Sequence, residues 1–231
     1  MKIRRRFEGN QGLFFGCALL ICAGLLADSA HGQSLLGRAP DTKTGGAARG
    51  VSKAAPFQLF APKVATRSDD QFLYVESNGM PSHPMMVGIN AWQQQLPIPQ
   101  RYEGARAWQI SLNPTPAALP RTIKNEFLRG AIALAVNGIP IFNPQNNRGE
   151  VSADIGELDQ WGGHCGRADD YHYHVAPLHL QSVVGPAMPI AFALDGYPIF
   201  GLSEPDGSSP KGLDAFNGHG SSTIGYHYHA S

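Results

Sequence analysis

The chain has 231 residues, 42% hydrophobic and 16% charged, with 18 basic against 18 acidic side chains. That length can bury a sizeable core, and the balanced charge, with no basic stripe and no acidic tail, argues against nucleic acid and against a charge-driven partner. Its 27 glycines and 18 prolines favour turn-rich structure over long helices.

Residues 1–32 have the layout of an export signal. Lys2, Arg4, Arg5 and Arg6 form a positive head, Leu13 to Leu26 an apolar stretch, and Ala30-His31-Gly32 a small-residue cleavage site before Gln33. The apolar stretch is short of the roughly 20 residues that a membrane span needs. The expectation is therefore a periplasmic or extracellular protein with no stable membrane anchor after cleavage, an uncleaved anchor being the alternative. Arg4-Arg5-Arg6-Phe7 also fits part of a twin-arginine signal, so the export route stays open. Cleavage removes four basic and two acidic residues, which leaves a net charge of −2 and one cysteine, Cys165. A chain with one thiol has no internal disulfide, so packing, hydrogen bonds or a metal must stabilise it. Cys165 directly follows His164; it reads equally as a thiolate ligand and as a small buried side chain.

Residues 33–70 are rich in Ala, Gly, Ser, Thr and Lys with no sustained apolar period, and read as a flexible linker. A domain over 71–231 follows. Phe72-Leu-Tyr-Val75 has the aromatic and β-branched content of a strand. Arg121 to Arg129 is the one fair helix candidate. Two apolar runs, Ala131 to Val136 and Pro189 to Leu194, lead into Asn137-Gly138-Ile139-Pro140 and Asp195-Gly196-Tyr197-Pro198. Asn-Gly and Asp-Gly between apolar runs are strong hairpin signals, because both central residues tolerate positive φ.

Two copies of one pattern close the chain. Asp159-Gln-Trp-Gly-Gly-His164 precedes Tyr171-His172-Tyr173-His174, and Asp214-Ala-Phe-Asn-Gly-His219 precedes Tyr226-His227-Tyr228-His229. With the hairpins they define repeat units of about 130–177 and 189–231. The expected fold is mostly β: a sandwich or barrel-like domain built from two related β units with pseudo-twofold internal symmetry.

Residues two apart on a strand share a face, so His172 and His174 point one way and the tyrosines the other. Their imidazoles can converge on one ion, with His164 returning from its glycine turn as a third ligand. The candidate ligands are His164, His172, His174, His219, His227 and His229. Asp159 and Asp214 are candidate supports, since a metal-bound histidine usually gives its other N–H to a carboxylate or carbonyl. Two separate sites and one cluster shared between the repeats both fit the spacing. All-nitrogen ligation suits a divalent transition metal, copper or zinc. Chemistry at such a centre would be metal-dependent hydrolysis through an activated water, or copper redox. The other class is a non-catalytic structural or binding module whose Tyr/His strands pack and hydrogen-bond without metal. His83 and His179 read as turn or incidental histidines, and Trp92 and Trp108 as packing.

Ser77-Asn-Gly-Met-Pro-Ser-His83, Val136-Asn-Gly-Ile-Pro-Ile-Phe142, Leu194-Asp-Gly-Tyr-Pro-Ile-Phe200 and the two Gly-His and Tyr-His-Tyr-His arrays together resemble the YHYH-domain family of exported bacterial proteins. The resemblance covers about 71–231. It implies an exported domain and supplies no catalytic residues. That family often carries a cysteine two residues after the repeat aspartate, where this chain has Trp161 and Phe216. The resemblance thus implies aromatic packing across the repeats in place of a disulfide.

Overall fold

Turn chemistry sets the strand pairing in the computed structural model, which describes residues 52–91, 95–167 and 169–231. The expected export signal, with Cys17 and Cys22, and Trp92 lie outside these residues. Gly138 (φ 79°) and Gly196 (φ 98°) take the left-handed conformation that the Asn-Gly and Asp-Gly turns require. Each turn closes a hairpin: β4 (Ala131–Ala135) with β5 (Pro140–Phe142), and β8 (Ala191–Ala193) with β9 (Pro198–Phe200).

Four further elements precede them. A single helical turn, α1 (Ala55–Gln58), leads to β1 (Val64–Ser68), which pairs with β2 (Phe72–Ser77), which pairs in turn with β3 (Trp108–Ser111). This three-stranded antiparallel sheet is one layer. The second sheet adds β6 (Gly163–Cys165), β7 (Tyr171–Tyr173), β10 (Gly218–Ser221) and β11 (Gly225–His229) to the two hairpins. A short helix, α2 (Gln181–Val184), lies between β7 and β8.

The eight-stranded sheet has the order β10-β11-β9-β8-β4-β5-β7-β6. At its centre β4 runs antiparallel to β8, with Leu134 opposite Phe192. Outward from that seam each side continues with the hairpin partner, then a parallel strand, then an antiparallel edge strand. The parallel pairs are Ile141 opposite Tyr173 and Ile199 opposite Tyr228. The edge pairs set His164 opposite His172 and His219 opposite His227. The fold is thus mostly β and made of two sheets, but the larger sheet is open, with β6 and β10 as edges, so the expected barrel closure is not seen.

One apolar core joins both sheets. Phe57 from α1 and Val75 and Ile110 from the first sheet meet Leu134 and Phe192 from the second, with Val136 and Ile139 from the turn between β4 and β5, and all are buried. Phe57 stacks on Phe192 with ring centroids 5.5 Å apart. Residues 52–70 therefore belong to the fold rather than to the expected linker 33–70. The reason is local: Phe57 and Val64 are apolar anchors in an otherwise weakly patterned stretch, and burying each contributes about 1.5–3 kcal/mol.

The expected helix from Arg121 to Arg129 does not form. Asn125 (φ 60°) and Phe127 (φ 53°) sit in the left-handed region, which an α-helix cannot use. The Asn143 amide donates to the Ile123 and Glu126 carbonyls at 2.6 and 2.7 Å, holding the segment as an irregular loop. No described helix is long and apolar enough to cross a membrane.

Candidate metal centres

The Asp-to-His spacing is explained by a turn. Asp159 Oδ1 accepts the backbone N–H groups of Trp161 and Gly163 at 2.9 and 3.2 Å. Its Oδ2 accepts the Tyr171 hydroxyl at 2.8 Å and the Met86 N–H at 3.0 Å. Asp214 repeats this with Phe216, Gly218 and the Tyr226 hydroxyl, at 2.8, 3.1 and 2.7 Å. Each aspartate thereby clamps the turn that launches the edge strand and ties it to the tyrosine face of the next strand. Gly163 is required there, because a Cβ would lie 2.6 Å from the His172 carbonyl and from the Tyr171 ring.

Hairpin register then brings the three histidines of each copy together. The edge-strand histidine lies directly across from the first Tyr-His-Tyr-His histidine, and the second follows two residues later on the same face. In the first array His172 Nε2 is 3.1 Å from His174 Nε2, and His174 Nε2 is 3.1 Å from His164 Nε2. In the second, His219 Nε2 is 3.0 Å from His227 Nε2. Tetrahedral ligation with metal–nitrogen bonds of about 2.0–2.1 Å would separate the nitrogens by about 3.3 Å. Both groups are thus of the right size to hold an ion, their ligand atoms lying within 4.8 Å of one another. They sit beside opposite edges of the sheet, as two separate groups rather than one cluster shared between the repeats.

Every ring is oriented by a main-chain carbonyl. His164 Nδ1–H donates to Glu157 O, His172 to Asp170 O and His174 to Asn143 O. His219 donates to Lys211 O, His227 to Gly225 O and His229 to Gly201 O. A carbonyl can only accept, so Nδ1 carries a proton in each ring, and the Nε2 of a ring in its neutral form is a lone pair. Asp159 and Asp214 do not bond the imidazoles, which corrects the expectation that they would. Their carboxylates are occupied by the turn and the tyrosine, and they position the histidines only through the backbone.

Burial keeps the first group neutral. His164, His172 and His174 are all buried. Desolvation, joined by the neighbouring His174, lowers His164 to about 4. His172 is pushed well below the ordinary imidazole range by burial and by its two partners, and burial also lowers His174. Phe142 stacks on His172 at 3.9 Å and closes that side. The second group is more open, with the His219 side chain 17% exposed.

The second group holds a residue that sequence reasoning missed. Glu204, from the loop after β9, places Oε1 2.8 Å from His219 Nε2 and 3.5 Å from His229 Nε2, and Oε2 3.4 Å from His227 Nε2. His229 Nε2 is buried with no hydrogen-bond partner. Nothing periodic marks Glu204 as a ligand.

The remaining candidates fall elsewhere. Cys165 points away from its neighbour His164 into the core, where burial pushes its thiol up to about 12, so it is not part of the histidine group. His83 accepts the Tyr173 hydroxyl at Nε2, 2.7 Å away, and stacks on Trp161 at 4.8 Å. His179 packs edge-on to both His83 and Trp161. Trp161 therefore lies in this aromatic cluster, while Phe216 precedes β10 at the far edge of the sheet. The expected contact between Trp161 and Phe216 is not made.

No curated protein and no solved structure matches the chain. The family model described as YHYH protein matches residues 107–211, a span that holds the first array and Glu204 and stops short of His219. Over that span the chain is similar to the YHYH family.

Proposed function

We propose that the protein is an exported metal-binding β domain with two histidine centres, one per repeat. In this reading residues 1–32 are the export signal, the segment before the fold is a linker, and the two β units are related by a pseudo-twofold axis between β4 and β8. The matching order of strands on either side of that seam supports the symmetry.

One observation carries the metal reading. Three buried, neutral imidazoles in the first group spend their Nδ1–H on backbone carbonyls and turn their Nε2 lone pairs toward one another at 3.1 Å. Lone pairs at that separation repel, and desolvation disfavours a proton between them. A cation bound by all three turns the repulsion into ligation. A module that only packs its Tyr/His strands accounts for the tyrosine face, whose hydroxyls go to Asp159, Asp214 and Asp195. It leaves the convergence of the nitrogens without a cause.

Copper and zinc both suit imidazole ligation. The identity of the ion decides the chemistry: an activated water for hydrolysis with zinc, electron transfer with copper. Elemental analysis of the purified chain after zinc or copper loading should find two ions. His172→Ala and His227→Ala should each remove one. A fully folded wild-type protein with no bound metal after loading would refute the proposal.

A further inference from the structure

The loops after the two Pro-Ile-Phe strands are built alike. Phe142 and Phe200 end β5 and β9, and the next residues, Asn143 and Gly201, give their carbonyls to His174 and His229. Three residues further on, Asn146 N–H donates to Glu150 O and accepts Gly149 N–H at its own carbonyl, at 2.8 and 2.9 Å. Glu204 does the same with Ser208 O and Gly207 N–H, at the same two distances. Asn146 and Glu204 therefore occupy corresponding places, and the two centres differ at this position by an amide against a carboxylate. The Asn146 amide is turned to the carboxylates of Glu150 and Glu157, at 3.0 and 3.3 Å. The Glu204 carboxylate spans all three Nε2 atoms of the second group at 2.8–3.5 Å.

We infer that Glu204 is the fourth ligand of the second centre, and that the Asn146/Glu204 difference makes the two centres unlike: three imidazoles in the first, three imidazoles and one carboxylate in the second. This rests on the metal reading above. The observed oxygen–nitrogen distances bracket the roughly 3.3 Å expected between ligand atoms around a tetrahedral ion. Three neutral imidazoles leave both charges of a divalent ion uncompensated. Glu204 cancels one of them and adds a hard oxygen donor, which favours a divalent ion such as zinc or cobalt over a monovalent one. The second centre is then a closed four-ligand site for a divalent ion, and the first is an all-imidazole site with no anionic ligand.

The test is titration of the mature chain with cobalt(II) chloride, followed by visible absorption, with competition by zinc. Wild type should take up two ions, and His172→Ala, which retains only the second centre, should show the intense d–d bands of four-coordinate cobalt. Glu204→Asn installs the residue that the first repeat itself uses in this turn, so the loop can keep its shape, and Glu204→Gln is the isosteric control. Either change should weaken one of the two sites by more than about 10-fold, beyond the lower end of what loss of an outer hydrogen-bond partner produces. In the His172→Ala background either change should also shift the position and intensity of the four-coordinate bands, because water or a neutral amide replaces the carboxylate. Two ions bound with unchanged affinity and spectrum in both Glu204 variants would overturn the inference and leave the metal reading intact. No cobalt or zinc bound by folded wild type would overturn both.

Discussion

Replacing each repeat aspartate by alanine separates its role in the turn from a role toward imidazole. Asp159 is 5% exposed and accepts four hydrogen bonds, from Met86, Trp161, Gly163 and the Tyr171 hydroxyl. In Asp159→Ala the donors on Met86, Gly163 and Tyr171 are left in buried surroundings. An orphaned buried donor costs about 1–3 kcal/mol, and water entering the vacated volume recovers part of it, so the expected loss is about 3–5 kcal/mol. For a domain of this size each kcal/mol moves Tm by about 2–4 °C, which predicts a fall of about 6–20 °C. Asp214 makes the corresponding bonds to Phe216 and Tyr226 in exposed surroundings, where water replaces it, and only its Gly218 bond is part-buried, so Asp214→Ala should cost about 1–2 kcal/mol. Thermal unfolding followed by circular dichroism measures both. Because the Lys211 carbonyl holds the His219 ring, Asp214→Ala should keep its second-centre metal. Equal losses of Tm in the two variants, or release of that metal from folded Asp214→Ala, would refute the assignment of the aspartates to the turns.

In the metal-free chain, stability should fall as pH drops from about 6.5 to 4. His164 titrates near 4 in the fold and near 6.5 unfolded, so over that window the unfolded state takes the proton first, a contribution of about 3 kcal/mol. Above pH 6.5 both states are neutral and the term vanishes; Tm against pH for wild type and His164→Gln should converge as pH falls and run parallel above 7. Asn143→Ala should loosen the loop that its amide holds, seen as faster hydrogen exchange across residues 121–129, at a cost of about 1–3 kcal/mol. Cys165, buried and with its thiol held protonated, should resist an aromatic disulfide reagent in the native mature chain and react fully in denaturant.

What the sequence reveals here is what short-range rules encode. The Asn-Gly and Asp-Gly hairpins announce themselves because each turn needs one residue at positive φ, and Gly138 and Gly196 supply it. The Tyr-His alternation reveals which side chains share a face because strand geometry has a period of two. The Asp-x3-Gly-His pattern is legible as a unit, but its purpose is not: a carboxylate near a histidine suggests an orienter, whereas the rings are oriented by main-chain carbonyls, which every residue carries and no pattern can mark. Glu204 was hidden for a similar reason, lying in a loop with no period. Alignment of the repeats from their shared Pro-Ile-Phe would have set it against Asn146 and exposed the difference. Residues 52–70 read as linker, with Phe57 to Phe60 able to dock locally, because a few apolar anchors in a polar stretch are too few to make a pattern, yet enough to bury a segment. The Arg121–Arg129 loop was misread because the Asn143 amide that captures its carbonyls lies 17 and 20 residues away in the chain.

The two faces of β7 and β11 have different work, and the two repeats divide it unequally. Tyr171 and Tyr173 are buried beneath His83, Trp161 and the core, so the first repeat's strand anchors the fold as well as its own centre. Tyr226 and Tyr228 pack on each other and on Tyr197 at a half-exposed surface, with their hydroxyls on Asp214 and Asp195. A centre attached to the core and closed by Phe142 must open part of the fold to exchange its ion. In the proposed reading, an ion in the second group, where the His219 and Glu204 side chains are each 17% exposed, would leave once Glu204 moves. In the same reading the two histidine groups therefore differ by burial on one side and a carboxylate on the other, and an ion in the first should leave more slowly than one in the second.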